Sequence, residues 1–129
     1  MTKEDVLLGL EKVHYPGRLQ WIAENILIDC AHNEAGARML GAYIMSLPRN
    51  GSRVLVFGAS QEKDVRSMIL SLASHFDIIY TFAAEHPRAI PAQDLSELCA
   101  SFRVQTTPVH SFEEVHERVP QDMLSLIHI

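Results

Sequence analysis

No run of apolar residues in this chain approaches the roughly 20 that a helix needs to cross a bilayer, so nothing in it reads as a membrane span. The amino end, Met1-Thr-Lys-Glu-Asp5, lacks the apolar stretch of a secretory signal. Cysteine is scarce. Cys30 and Cys99 stand far apart and do not make a disulfide framework, so they read as reduced, buried thiols of a cytoplasmic protein. Basic residues are outnumbered, 11 Lys and Arg against 16 Asp and Glu, which leaves a net charge of −5. With no Lys/Arg cluster to reverse that balance, a nucleic-acid surface is excluded. His14, His75, His110, His116 and His128 show no metal-ligand spacing, and neither HExxH nor a paired Cys/His motif occurs, which argues against zinc. No Ser or Cys has the setting of a nucleophile elbow. The phosphate loop Gly-x-x-x-x-Gly-Lys-Ser/Thr is missing altogether.

What is present is ordinary globular material. The 129 residues are 47% hydrophobic and 21% charged, enough for one domain with a real core. Met1 to Val13 reads as a short helix. Thr2 caps it, Val6, Leu7, Leu10 and Val13 form its stripe, and Pro16 ends it. Leu19–Ile22 and Asn25–Ile28 are short apolar runs that can pair as a hairpin. Residues 34–47 show helical spacing at Ala35, Met39, Ala42 and Tyr43 and stop at Leu47-Pro-Arg-Asn-Gly51. Arg53–Phe57 is a continuous apolar run, the mark of a strand buried on both faces. A helix follows over Glu62–His75, with Val65, Met68, Ile69, Leu72 and Ala73 inward. Phe76–Phe82 reads as a strand and Pro91 opens a helix carrying Leu95, Leu98 and Cys99. Phe102–Gln105 reads as a short strand, Phe112–Val119 as a helix with Val115 and Val119 inward, and Met123–Ile129 as a last strand. Glu113, Glu114 and Glu117 make a solvated helix face. Strand–helix alternation with buried strands predicts an α/β fold, a Rossmann-like, mostly parallel sheet with helices on both faces.

One stretch organises the rest. Tyr15-Pro-Gly-Arg-Leu-Gln20 leads into a strand that ends at Asp29-Cys-Ala-His-Asn33, just before a helix. Asp29, His32 and Asn33 therefore stand at the carboxyl end of a strand, where open α/β sheets bind ligands. The helix amino end favours anions, and Arg18 adds a planar fork of donors. The plainer alternative is a helix cap beside a surface histidine. Gly58-Ala-Ser leaves the next strand and Lys63-Asp64 opens the next helix. Lys63 there can meet phosphate or carboxylate, or the pair can be a solvated first turn. His86-Pro-Arg88-Ala forms a third loop on the same edge, with a surface turn as its plainer reading.

Pro16-Gly-Arg-Leu-Gln20, Asp29-x-Ala-His-Asn33 and Phe57-Gly-Ala-x-x-x-Lys63-Asp64, in that order, resemble the carboxy-terminal domain of folylpolyglutamate synthase/dihydrofolate synthase, a branch of the Mur ligase superfamily. The resemblance runs from about Leu8 to Arg88. It implies that residues 1–14 close a preceding central ATPase domain and that 15–129 form the Mur ligase-type carboxy-terminal domain. It implies ATP-dependent addition of L-glutamate to folate or dihydropteroate through an acyl phosphate. Arg18 and Asp29 then contact ATP and His32 serves the incoming glutamate nearest the chemistry, while Asn33, Lys63 and Asp64 are further candidates for ATP and Arg88 for the substrate. Mg²⁺ is implied, with ligands mainly on the central domain, so the chain alone is expected not to catalyse. A peptidoglycan Mur ligase domain is a second reading, disfavoured by Leu19-Gln20 and Lys63-Asp64. A stand-alone α/β binding domain is a third. Two residues depart from the pattern: Cys30 stands where Gly is usual, and Glu34 where Pro is usual. Ser125–Ile129 also fails to continue the family pattern and reads as a truncation or a foreign tail, with a poor last strand and an exposed edge.

Overall fold

The computed structural model describes residues 19–23, 25–29, 33–49, 51–61, 64–83, 85, 87–118 and 124–128. The expected helix of Met1–Val13 and the candidates Arg18, His32 and Lys63 lie outside the described residues, as do Cys30 and Val119. Among the described residues the regular elements are, in chain order, β1 (Gln20–Ala23), β2 (Ile26–Asp29), α1 (Glu34–Ser46), β3 (Arg53–Phe57), α2 (Val65–Leu72), β4 (Ile78–Thr81), α3 (Ala92–Ala100), β5 (Gln105–Pro108), α4 (Phe112–Arg118) and β6 (Leu124–His128). A 3-10 turn, Ala73–His75, closes α2.

The strands form one sheet in the order β1-β2-β6-β3-β4-β5. β1 and β2 pair antiparallel, as the hairpin reading expects, and every other pair is parallel. The crossover from β2 through α1 to β3 skips one strand position, and β6 fills it. Leu124–His128 pairs with Arg53–Phe57 on one side, and Ser125–His128 pairs with Ile26–Asp29 on the other. This corrects the expectation of an exposed edge at the carboxyl end. The last described strand is paired on both sides, and the edges are β1 and β5.

The core divides at the sheet. On one face Leu27, Leu55, Phe57 and Ile79 pack against α1, α2 and α3 through Leu40, Ile44, Met68, Ile69, Leu72, Leu95 and Cys99. On the other, Val54, Val56, Tyr80 and Phe82 meet Val109, just after β5, and Val115 of α4. β3 is buried at all five positions, because alternate residues feed both clusters. Its first residue, Arg53, donates from Nη2 to the Leu47 carbonyl at 2.9 Å, and its N–H donates to Asp77 at 2.8 Å. Arg49 donates to both oxygens of Asp77 at 2.7 and 2.6 Å. These bonds tie the loops at the amino end of β3 and β4.

Two other expectations are corrected. α1 buries Ala37, Leu40, Gly41 and Ile44, whereas Ala35, Met39 and Ala42 are exposed and Tyr43 is half-buried. The helix carries two apolar stripes on opposite sides, and they are spaced with equal regularity. Gly41 marks the inward one. A β-carbon there would lie 2.9 Å from the Ser71 carbonyl and 3.0 Å from the His75 ring, so its absence lets α1 approach α2. The strand expected at Phe102–Gln105 instead begins at Gln105. Phe102 and Arg103 form a turn off α3, donating to the carbonyls of Cys99 and Ala100, with Arg103 at φ +60°.

Candidate functional site

All five parallel strands end together. Asp29, His128, Phe57, Thr81 and Pro108 are successive partners across the sheet. This carboxyl edge carries the three loops that the sequence singles out, the location at which open α/β sheets take ligands. The register also places His128 between Asp29 and Phe57. Sequence reasoning gave His128 no role, because only the sheet order brings it there.

Asp29 is buried at 8% exposure. Its Oδ2 accepts the Leu19 N–H at 3.0 Å, across the start of the hairpin. Asn33 caps α1, its Oδ1 accepting the Gly36 N–H at 2.8 Å. That leaves its amide group as the part chemically able to donate to an anion at the helix end. Glu34, the departure from the family pattern, points into solvent and lies 3.8 Å from Arg38. It draws charge along α1 in the weak manner of exposed pairs.

The second and third loops form one unit. The Gln61 N–H donates to the Arg88 carbonyl at 2.8 Å, and the Ile90 N–H donates to the Ala59 carbonyl at 2.9 Å. Ser60 and Ala89 form an antiparallel bridge between them. Arg88 is exposed on this two-stranded lip, and no sequence signal announces the pairing. Gly58, at the root of the lip, has a reason internal to the fold. A β-carbon there would meet the Phe82 ring at 2.9 Å and the Phe82 carbonyl at 3.1 Å.

Asp64 caps α2. Its carboxylate accepts the Ser67 hydroxyl at 2.7 Å and the Ser67 N–H at 3.3 Å. These bonds hold its carboxyl below the usual aspartate range, the hydroxyl contributing most. The capping alternative thus accounts for both oxygens of Asp64, and helix capping also occupies Asn33. Among the described residues no three His, Cys, Asp or Glu side chains gather to hold a metal ion.

The described side chains therefore sort into two kinds. Asp29, Asn33 and Asp64 shape the edge by accepting backbone N–H groups. Arg88, exposed on the lip, supplies permanent positive charge. Such an edge suits the holding of anions between loops better than proton transfer by paired carboxylates.

Residues 17–126 match the family model described as Mur ligase, glutamate ligase domain. A curated relative, the dihydrofolate synthase/folylpolyglutamate synthase of Escherichia coli K12, is 33% identical over 91 residues, covering 69% of this chain and 22% of the relative. Among solved structures, E. coli FolC in complex with ADP superposes with a TM-score of 0.86 at 24% identity, covering 99% of this chain and 32% of that one. A bifunctional folylpolyglutamate synthase/dihydrofolate synthase with Mn, AMPPNP and L-glutamate bound gives 0.79 at 25% identity, covering 100% and 32%. The chain thus spans about a fifth of the curated relative and a third of the solved ones.

Proposed function

The chain belongs to the Mur ligase glutamate ligase domain family, and on that premise we propose that it is the carboxy-terminal domain of an ATP-dependent carboxylate–amine ligase of the folylpolyglutamate/dihydrofolate synthase type. Residues 15–129 are that domain and residues 1–14 lead in from a central ATPase domain. The observation that carries the reading is the strand edge, where Asp29 and the paired loops 59–61 and 88–90 converge. The likeness to a synthase bound to AMPPNP and L-glutamate supports the ligand classes.

The reaction transfers the γ-phosphoryl group of ATP to a carboxylate of folate or dihydropteroate and releases ADP. The amine of L-glutamate then attacks the acyl carbon, phosphate leaves, the C–N bond forms and the amine loses a proton. Several oxyanions must be held together while charge moves between them, so fixed cations do most of the stabilising. Arg18 binds the nucleotide phosphates, with Lys63 and the Asn33 amide beside them. His32 orients the glutamate amine, and Arg88, on its locked lip, takes a glutamate carboxylate. Asp64 supports Lys63 by fixing the start of α2. Mg²⁺, when bound, screens the phosphate charge, and its ligands are assigned to the rest of the ligase. The chain alone is therefore inactive, and its workplace is the cytoplasm.

Replacing Arg18 with Ala in the full ligase tests the reading. Turnover should fall about 10²-fold, the usual effect of removing one preorganised charge-stabilising group. Near-normal turnover would remove Arg18 from the mechanism.

A further inference from the structure

Arg88 sits on the loop that leaves β4 after Thr81 and re-enters the fold at Ala92, the first residue of α3. A cation on a surface loop holds an anion well only if its main chain is fixed beforehand. Here a different loop supplies the hold, the one that leaves β3 after Phe57. The Gln61 N–H donates to the Arg88 carbonyl at 2.8 Å, and the Ile90 N–H donates to the Ala59 carbonyl at 2.9 Å. These two bonds flank the Ser60–Ala89 bridge, as in an antiparallel strand pair. At the inner end of the pair, Ala59 and Ile90 are half-buried against the larger core cluster. At the outer end Gln61 and Arg88 stand opposite each other, both exposed. The Gln61 N–H is thus the tie at the solvent end of the lip, and it bonds Arg88 itself.

We propose that Gln61 is a positioning residue, its main-chain N–H holding Arg88 where it takes the carboxylate of the incoming amino acid. This deepens the proposed function and rests on the part given there to Arg88. The role belongs to the N–H, which every residue except proline supplies, and not to the Gln61 side chain. The two loops, separate candidates in the sequence, then act as one, and a change at position 61 is felt at Arg88.

The test is made in the full ligase, with KM for L-glutamate and kcat measured separately and amide hydrogen exchange read at Ile90. Gln61→Pro removes the donor and should raise KM for L-glutamate about tenfold, the effect of losing one hydrogen bond to a charged group. Its kcat at saturating L-glutamate should stay within about threefold, because what is lost is binding and not a contact made only in the transition state. Gln61→Ala keeps the donor and should leave KM within about twofold. Arg88→Ala should raise KM about tenfold. Adding Gln61→Pro to it should cost less than about twofold more, because residues acting through one another are not additive. Exchange at Ile90 should quicken in Gln61→Pro and keep its rate in Gln61→Ala and Arg88→Ala. An unchanged KM in Gln61→Pro would overturn the proposal, and so would an equal rise in Gln61→Ala, which would move the role to the side chain. Full additivity with Arg88→Ala would overturn it too, since position 61 would then act apart from Arg88. Unchanged Ile90 exchange in Gln61→Pro would overturn the hold. A normal KM in Arg88→Ala would overturn the part that the proposed function gives Arg88, and the purpose of the hold with it. Quickened Ile90 exchange in Gln61→Pro then tells that failure from a failure of the lip itself.

Discussion

Cys99 shows how a single side chain can be settled by packing and left out of the chemistry. It is fully buried in the larger core cluster, where burial pushes its thiol up from 9.0 to about 11. A thiol that stays protonated at neutral pH is a poor nucleophile. The raised value also sets a direction for stability. Below pH 9.0 the thiol is protonated in both folded and unfolded chains and adds no pH dependence. Between 9.0 and about 11 the unfolded chain loses its proton first, so stability falls as pH rises through that window. Denaturation at stepped pH should show a decline of about 1 kcal/mol per unit there that Cys99→Ala lacks. Equal slopes in the two proteins would contradict the assignment. Asp64 carries the opposite sign: its carboxyl is lowered from 3.8, so its cap on α2 holds at neutral pH and is lost in acid.

At the scale of elements, α1 separates what pattern can tell from what it cannot. The helix itself was legible, with its start after Asn33 and its stop before Pro48. Its inward face was not, because Ala35, Met39 and Ala42 repeat as regularly as Ala37, Leu40 and Ile44. Leu40→Ala should cost about 2–5 kcal/mol, while Met39→Ala, at a position 75% exposed, should change stability by less than about 0.5 kcal/mol. Chemical denaturation of the two variants checks the order, and a reversed order would restore the outward stripe as the core. α2 posed less ambiguity: Val65, Met68, Ile69 and Leu72 share one side and are buried, and Leu70 alone of its apolar residues is exposed. The strand before Pro108 was displaced for another reason. Phe102 and Val104 are apolar but serve the end of α3 and the core beneath it, so hydropathy there marks a helix exit rather than a strand.

Across the whole molecule, the sequence pattern led to a parallel α/β sheet but not to its strand order. β6 lies in the middle because the β2–α1–β3 crossover leaves a place for it, a fact about topology that no local window contains. The same order makes the site. Asp29 and Phe57 share an edge through His128, and the Ser60–Ala89 bridge joins the second and third loops. Residue motifs named three loops that the strand register brings to one edge, and the joining of two of them had to be seen. The proposed reaction needs a phosphate-binding loop that this sequence lacks, so the decisive measurement belongs to the full ligase. That measurement is ADP release with folate, dihydropteroate or a UDP-muramoyl peptide as the carboxylate, each with and without L-glutamate. The account predicts ADP release with a pterin carboxylate and L-glutamate together, and none with the muramoyl peptide. Release that ignores L-glutamate, or that requires the muramoyl peptide, would contradict it.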